Sequence, residues 1–175
     1  MKTLEHGLAH HLFIGLERLP FFTLFSPILT ATLLPLPIMK KIEHLGIAVQ
    51  HLEESILLYE RLLNTSCYKR ELVEQQGLET AFFQTGPNKI ELLASTDPQG
   101  VIARFLEKRG EGIHHIAFEV DDIEAEMKRL SEEGFTLLQE KPIPGADNKL
   151  ICFVHPKNTH GVLIELCMER QNIPG

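Results

Sequence analysis

The sequence predicts an α+β fold: two paired β-α-β-β-β modules forming one cupped mixed sheet with helices on the outside. Three observations predict it. His44-Leu45-Gly46-Ile47-Ala48-Val49-Gln50-His51-Leu52 lines up with His115-Ile116-Ala117-Phe118-Glu119-Val120-Asp121-Asp122-Ile123. Ile90-Glu91-Leu92-Leu93 lines up with Ile164-Glu165-Leu166-Cys167, so histidine and glutamate are 47 residues apart in one copy (91 − 44) and 50 in the other (165 − 115). In each copy an apolar strand pattern is followed by a helical one and then by further strands.

Module one runs from about 41 to 96, a linker from about 97 to 111, and module two from about 112 to 169. The opening strands are predicted near 42–49 and 113–120, where β-branched and aliphatic residues cluster. Helices follow near 53–64 and 122–133. Leu52, Ile56, Tyr59 and Leu63 share one face of the first; Ile123, Met127 and Leu130 share one face of the second. Asp121-Asp122 offers an N-cap and first-turn charge, and Gly134 stops the helix. Three strands complete each module, near 67–74, 78–85 and 88–94, and near 135–139, 149–155 and 161–168. Gln76-Gly77, Gly86-Pro87-Asn88, Pro144-Gly145 and Thr159-His160-Gly161 supply turns. The linker reads as a short helix carrying Val101, Phe105 and Leu106.

With 175 residues, 43% hydrophobic and 23% charged, the chain is globular in composition. Its formal net charge of −7 and lack of long basic runs exclude nucleic-acid binding as the expected function. Cys67, Cys152 and Cys167 are odd in number and form no CxxC, so neither a disulfide framework nor a cysteine zinc site is expected. Leu19 to Ile38 carries no charge, but Pro20, Pro27, Pro35 and Pro37 argue against a membrane helix there. Met39-Lys40-Lys41-Ile42 reads as a natural start. Residues 1–38 are therefore expected to be an N-terminal extension outside the fold, the alternatives being an atypical targeting or membrane-associated segment or a true span. Residues 39–175 are expected to be one domain with no membrane contact.

Side-chain alternation assigns the faces. Ile42, His44, Gly46 and Ala48 share one face, and Leu45, Ile47 and Val49 share the greasy face beneath the helix. The same parity selects His115, beside Ala117 and Glu119, over His114, which falls in with Ile116, Phe118 and Val120. Glu91 and Glu165, flanked by helix-side aliphatic residues, also point away from the helices. A single strand histidine or glutamate is ordinarily packed or solvated. The same two types at equivalent places in two repeats make a divalent-metal constellation: His44, Glu91, His115 and Glu165, suited to Zn²⁺, Co²⁺, Ni²⁺, Fe²⁺ or Mn²⁺. His51 reads as a helix-start residue, and His155 and His160 as rim residues at most.

These residues resemble the vicinal oxygen chelate (glyoxalase) superfamily, and within it the methylmalonyl-CoA epimerases. The resemblance is carried by Ile42-Glu43-His44-Leu45-Gly46-Ile47-Ala48-Val49, by Lys89-Ile90-Glu91-Leu92-Leu93, by Gly112-Ile113-His114-His115-Ile116-Ala117-Phe118-Glu119-Val120-Asp121-Asp122-Ile123, and by His155-Pro156-Lys157 with Gly161-Val162-Leu163-Ile164-Glu165-Leu166. It implies interconversion of (R)- and (S)-methylmalonyl-CoA through an enolate, a divalent metal (Co²⁺ first), an acyl-CoA substrate, a homodimer and a cytoplasmic setting. It also implies a base on each side of C2. Glu165 is one and Glu91 the other; some relatives use a glutamate on the third strand, where this chain has Thr80, with Glu79 one residue off. Lys141, Lys149 and Lys157 are the candidate contacts for the anionic CoA, and Phe82, Phe83 and Phe153 are expected in the core. The alternatives are a glyoxalase I-type lyase with the same ligands and a metal-free small-ligand-binding or resistance protein of the same fold. An extradiol dioxygenase, with two histidines and one carboxylate, fits less well because Glu91 adds a fourth ligand.

Overall fold

Strand β1 (Met39–Ala48) runs antiparallel beside β5 (Gly112–Val120), and this pair joins the two repeats. The computed structural model describes residues 39–170, so the expectation for residues 1–38 lies outside the described residues. In module one, β4 (Asn88–Ser95) lies parallel to β1. Strand β3 (Leu78–Thr85) is antiparallel to β4, and β2 (Lys69–Val73) is antiparallel to β3. Module two repeats this with β8 (Leu163–Glu169) parallel to β5, β7 (Lys149–Val154) antiparallel to β8, and β6 (Ile143–Pro144) at the edge. The eight-stranded order is β2-β3-β4-β1-β5-β8-β7-β6, a mirror sequence about the β1–β5 seam.

Helices α1 (Leu52–Leu63) and α3 (Ile123–Glu132) cover the same side of the sheet. Leu52 and Ile56 of α1 pack on Val49, Ala81, Phe83 and Leu92; Met127 and Leu130 of α3 pack on Cys152, Val154 and Leu166. Helix α1 ends on Asn64 in the left-handed region (φ 50°), a usual C-terminal stop. In α3, Asp122 accepts a 3.0 Å hydrogen bond from the Ala125 amide, as its sequence position predicts. His51 occupies the equivalent place before α1 and makes no side-chain cap. The linker helix α2 (Val101–Arg109) packs Ile102 on Ala48, Leu78 and Leu93, and so closes one end of the opposite, concave face.

One predicted element is different. Residues 135–139 do not form a regular strand; Leu137 makes a single bridge to Val154. The side chain of Gln139 accepts the Phe153 amide at 2.8 Å, in place of a backbone carbonyl. Regular pairing with β7 resumes only at Ile143–Pro144, where Pro142 and Pro144 lack the donor a ladder needs.

Candidate metal and active centre

The four middle strands bring two imidazoles and two carboxylates to one point inside a cavity of about 830 Å³. The Nε2 atoms of His44 and His115 lie 2.9 Å apart. Glu91 Oε2 is 3.1 Å from His44 Nε2 and 3.5 Å from His115 Nε2. Glu165 reaches His44 Nε2 at 3.8 Å and His115 Nε2 at 3.5 Å. All four side chains are buried.

Register explains the convergence. Gly46 is paired with His115 on one side and Glu91 on the other; Ala117 is paired with His44 on one side and Glu165 on the other. Each small residue is thus flanked by one donor of each kind. At Gly46 the smallness is required: a Cβ there would lie 2.2 Å from Cε1 of His115, so the imidazole occupies the space a side chain would fill.

Strict alternation fails at three places in the β1–β5 seam, one at the strand end between Met39↔Val120 and Lys41↔Glu119, and two beside the site. The pairing runs from Ile42↔Phe118 directly to His44↔Ala117, and from Gly46↔His115 directly to Ile47↔Ile113. At the two beside the site, Glu43 and His114 are the unpaired extra residues, one on each strand. Each bulge turns its side chain toward the cavity instead of the opposite face. His114, expected with the helix-side residues, instead lines the cavity, its ring edge-on to Phe105 at 5.0 Å and its Nδ1 3.0 Å from His115 Nδ1. Glu43 was not foreseen at all. Its Oε2 is 2.6 Å from His44 Nδ1, and its Oε1 meets Lys89 Nζ at 2.5 Å and Lys149 Nζ at 3.4 Å. Lys89 continues to Asp147 at 2.7 Å, which also holds Lys69 at 3.0 Å, tying the β6–β7 loop to module one.

The electrostatics call for positive charge at the centre. Burial alone would lower the His44 pKa, but the charges of Glu91 and Glu165 and the hydrogen bond to Glu43 raise it to about 10. Burial would raise Glu91, yet the His44 charge and the hydrogen bonds of both histidines hold it well below the usual carboxylate range. Glu165 is pushed up by burial against the pull of His115 and His44. Burial and the neighbouring His115 lower His114 to about 4. A divalent ion held by the two histidines would supply positive charge to the two carboxylates. Donors about 2.1 Å from one ion stand roughly 3.0–3.4 Å apart in octahedral or tetrahedral arrangements. The histidine–histidine and histidine–glutamate separations of 2.9 to 3.8 Å bracket that range.

Around this point the cavity wall carries Phe82 and Phe153. Phe82 is buried, as expected of a core residue, while Phe153 is only partly buried, which corrects the core expectation for Phe153; Phe83, on the other face, packs beneath α1. Thr80 is fully buried and donates a 2.9 Å hydrogen bond to Glu91 Oε1. Glu79 faces away and pairs with Arg70. Of the three candidate lysines, only Lys149 lines the cavity, and it is buried between Glu43 and Glu169. Lys141 and Lys157 are exposed and lie outside this lining. The sequence reading missed Arg104, an exposed cation of α2 that does line the cavity; its signal was a basic residue three positions after Val101 on the linker helix. Cys67, Cys152 and Cys167 are free thiols.

The glyoxalase/bleomycin resistance protein/dioxygenase superfamily matches residues 43–153. The ethylmalonyl-CoA/methylmalonyl-CoA epimerase of Cereibacter sphaeroides is 40% identical over 129 residues, covering 72% of this chain and 96% of the relative. The crystal structure of methylmalonyl-CoA epimerase from Mycobacterium tuberculosis superposes with a TM-score of 0.76 at 35% identity, covering 81% of this chain and 96% of that one. A Streptomyces coelicolor methylmalonyl-CoA epimerase in complex with 2-nitronate-propionyl-CoA gives a TM-score of 0.72 at 31% identity, over 76% and 99% of the two chains. The chain belongs to the glyoxalase/bleomycin resistance protein/dioxygenase superfamily and, within it, to the methylmalonyl-CoA epimerase family.

Proposed function

We propose that this protein epimerises methylmalonyl-CoA at C2, with His44, Glu91, His115 and Glu165 holding a divalent metal. The observation that carries the reading is the meeting of these four side chains, two from each repeat, in the cavity of a chain that belongs to the epimerase family. The metal, when bound, supplies Lewis-acid stabilisation of the enolate oxygen, worth several kcal/mol. The chain's own residues handle the proton. Glu165, raised by burial, is the stronger base and takes the C2 proton on its side. Glu91, from the other repeat, faces the opposite side with its carboxylate fixed by Thr80; it takes a proton from solvent and passes that proton to C2 of the enolate. Phe82 and Phe153 wall the reacting carbon from water.

Cobalt(II) is our assignment for the metal, supported by the resemblance and by a mixed imidazole–carboxylate donor set. For the acyl-CoA's anionic part we assign Lys149 at the cavity together with the exposed Lys141 and Lys157, on charge. A homodimer, a cytoplasmic location and a part in propionate metabolism rest on the same resemblance. Among the described residues no helix is long and apolar enough to cross a membrane. The test is an assay of purified protein, loaded in turn with Co²⁺, Zn²⁺, Ni²⁺ and Mn²⁺, on (R)-methylmalonyl-CoA and on the glutathione hemithioacetal. Metal-dependent turnover of the first alone is expected. Turnover of the second alone assigns a glyoxalase I-type lyase instead.

A further inference from the structure

We infer that Glu43 and His114, the two bulge residues of the β1–β5 seam that adjoin the site, are positioning residues that fix the tautomer and ring orientation of the two ligand histidines. The inference rests on the reading of His44 and His115 as metal ligands and adds two residues that lie behind them. An imidazole that binds a metal through Nε2 must carry its proton on Nδ1, and a partner on Nδ1 sets that choice. His44 has such a partner in Glu43 Oε2 at 2.6 Å, and His115 has one in His114 Nδ1 at 3.0 Å. In both cases the partner is the residue just before the ligand. On a regular strand that residue would point to the opposite face and could not serve. The two bulges remove this obstacle, one on each strand and both beside the site.

The partners are themselves held. Glu43 is buried, with Lys89 and Lys149 on its second oxygen. His114 is backed by Phe105 of α2. Neither ring can therefore turn its Nδ1 away without breaking a contact of a second element. The supports differ in kind. A carboxylate oxygen of Glu43 meets His44 Nδ1 at 2.6 Å, whereas an imidazole nitrogen of His114 meets His115 Nδ1 at 3.0 Å. His44 is accordingly the more firmly held ligand.

The test uses the full chain labelled with ¹⁵N, together with Glu43→Ala, Glu43→Asp and His114→Phe, the last keeping an aromatic ring against Phe105. Zn²⁺ affinity is measured by chelator competition, folding by Tm, and histidine tautomers by long-range ¹H–¹⁵N correlation of the Zn²⁺-loaded protein. The expected result is Nδ1–H on both His44 and His115 in the unsubstituted protein. Glu43→Ala should weaken Zn²⁺ binding about 10–100-fold, His114→Phe should weaken it less, and Glu43→Asp should recover part of the loss. Should a variant fail to fold, the tautomers of the unsubstituted protein still decide. An Nε2–H on either histidine, or unchanged affinity in both Glu43→Ala and His114→Phe, overturns the inference. Failure of the unsubstituted chain to bind one Zn²⁺ sinks the metal reading itself.

Discussion

Behind His44 of the first repeat stands a carboxylate, Glu43; behind His115 of the second stands an imidazole, His114. Opposite the histidine of the second repeat the sheet has a glycine, Gly46; opposite that of the first it has Ala117. The edge of the first sheet half is a five-residue strand, β2, and the edge of the second is the two-residue β6. The halves thus agree where the backbone must deliver four side chains to one point, and differ in the chemical type of the groups around them. The backbone plan makes the site symmetrical enough to address both sides of a carbon. The side chains make its two sides chemically unlike. Glu165 is pushed up by burial while Glu91 is held down by His44 and His115.

The largest expected effect breaks the symmetry at the ligands. His44→Ala and His115→Ala should each abolish stoichiometric metal binding and lower kcat/KM by about 10³-fold, because the several kcal/mol of Lewis-acid stabilisation are lost at tenfold per 1.4 kcal/mol. His114→Ala should keep the metal, bound more weakly. Metal content and kinetics on the three variants check this. A metal-free His114→Ala beside a loaded His115→Ala would reverse the roles assigned to the pair.

A smaller effect separates the two residues that face the histidines. Gly46→Ala places a Cβ where the His115 ring lies, so the ring must move and metal affinity should fall roughly 10–100-fold. Ala117→Gly should leave metal affinity alone and cost about 0.5–1 kcal/mol of stability through the added backbone freedom. Metal titration and denaturant unfolding of both variants sharpen or remove this contrast.

Thr80→Val tests the first half alone. It keeps the side chain's shape and removes the hydroxyl that holds Glu91. A hydrogen bond to a charged group contributes about 1.5–3 kcal/mol, so kcat should drop tenfold or somewhat more. KM should stay near its original value, because the contact orients a base and touches no remote part of the substrate. An unchanged kcat would remove Glu91 from proton transfer.

The smallest effect lies at the helix starts. Asp122→Ala should cost about 1 kcal/mol by removing the cap on the Ala125 amide. His51→Ala should cost almost nothing by the same route, since His51 makes no side-chain cap. Unfolding midpoints of the two variants make the comparison directly.

The paired modules, the helix faces and the convergence of His44, Glu91, His115 and Glu165 were legible in the sequence because they depend on period and repetition. Alternation along β4 and β8 is regular, so Glu91 and Glu165 fall on the concave side as parity requires. The bulges at Glu43 and His114 were not legible. A bulge is a mismatch between two strands, and neither strand's own composition records it. The same holds for residues 135–139, where a glutamine side chain replaces a backbone acceptor that local propensity assumes. Nor could apolarity distinguish Phe82 and Phe153 from Phe83, since wall and core use the same ring.

The central claim is that carboxylates from the two repeats work on opposite sides of one carbon. Its most direct test follows solvent hydrogen. Purified, metal-loaded protein is incubated in D₂O with (R)-methylmalonyl-CoA, and then separately with the (S)-epimer, and deuterium at C2 is read by mass spectrometry and NMR. Two bases that exchange with water should place deuterium in the product from either direction, and removing the metal with a chelator should stop exchange and epimerisation together. Epimerised product free of deuterium would point to a single shielded base. Undiminished turnover after complete removal of the metal would contradict the metal-enolate account as a whole.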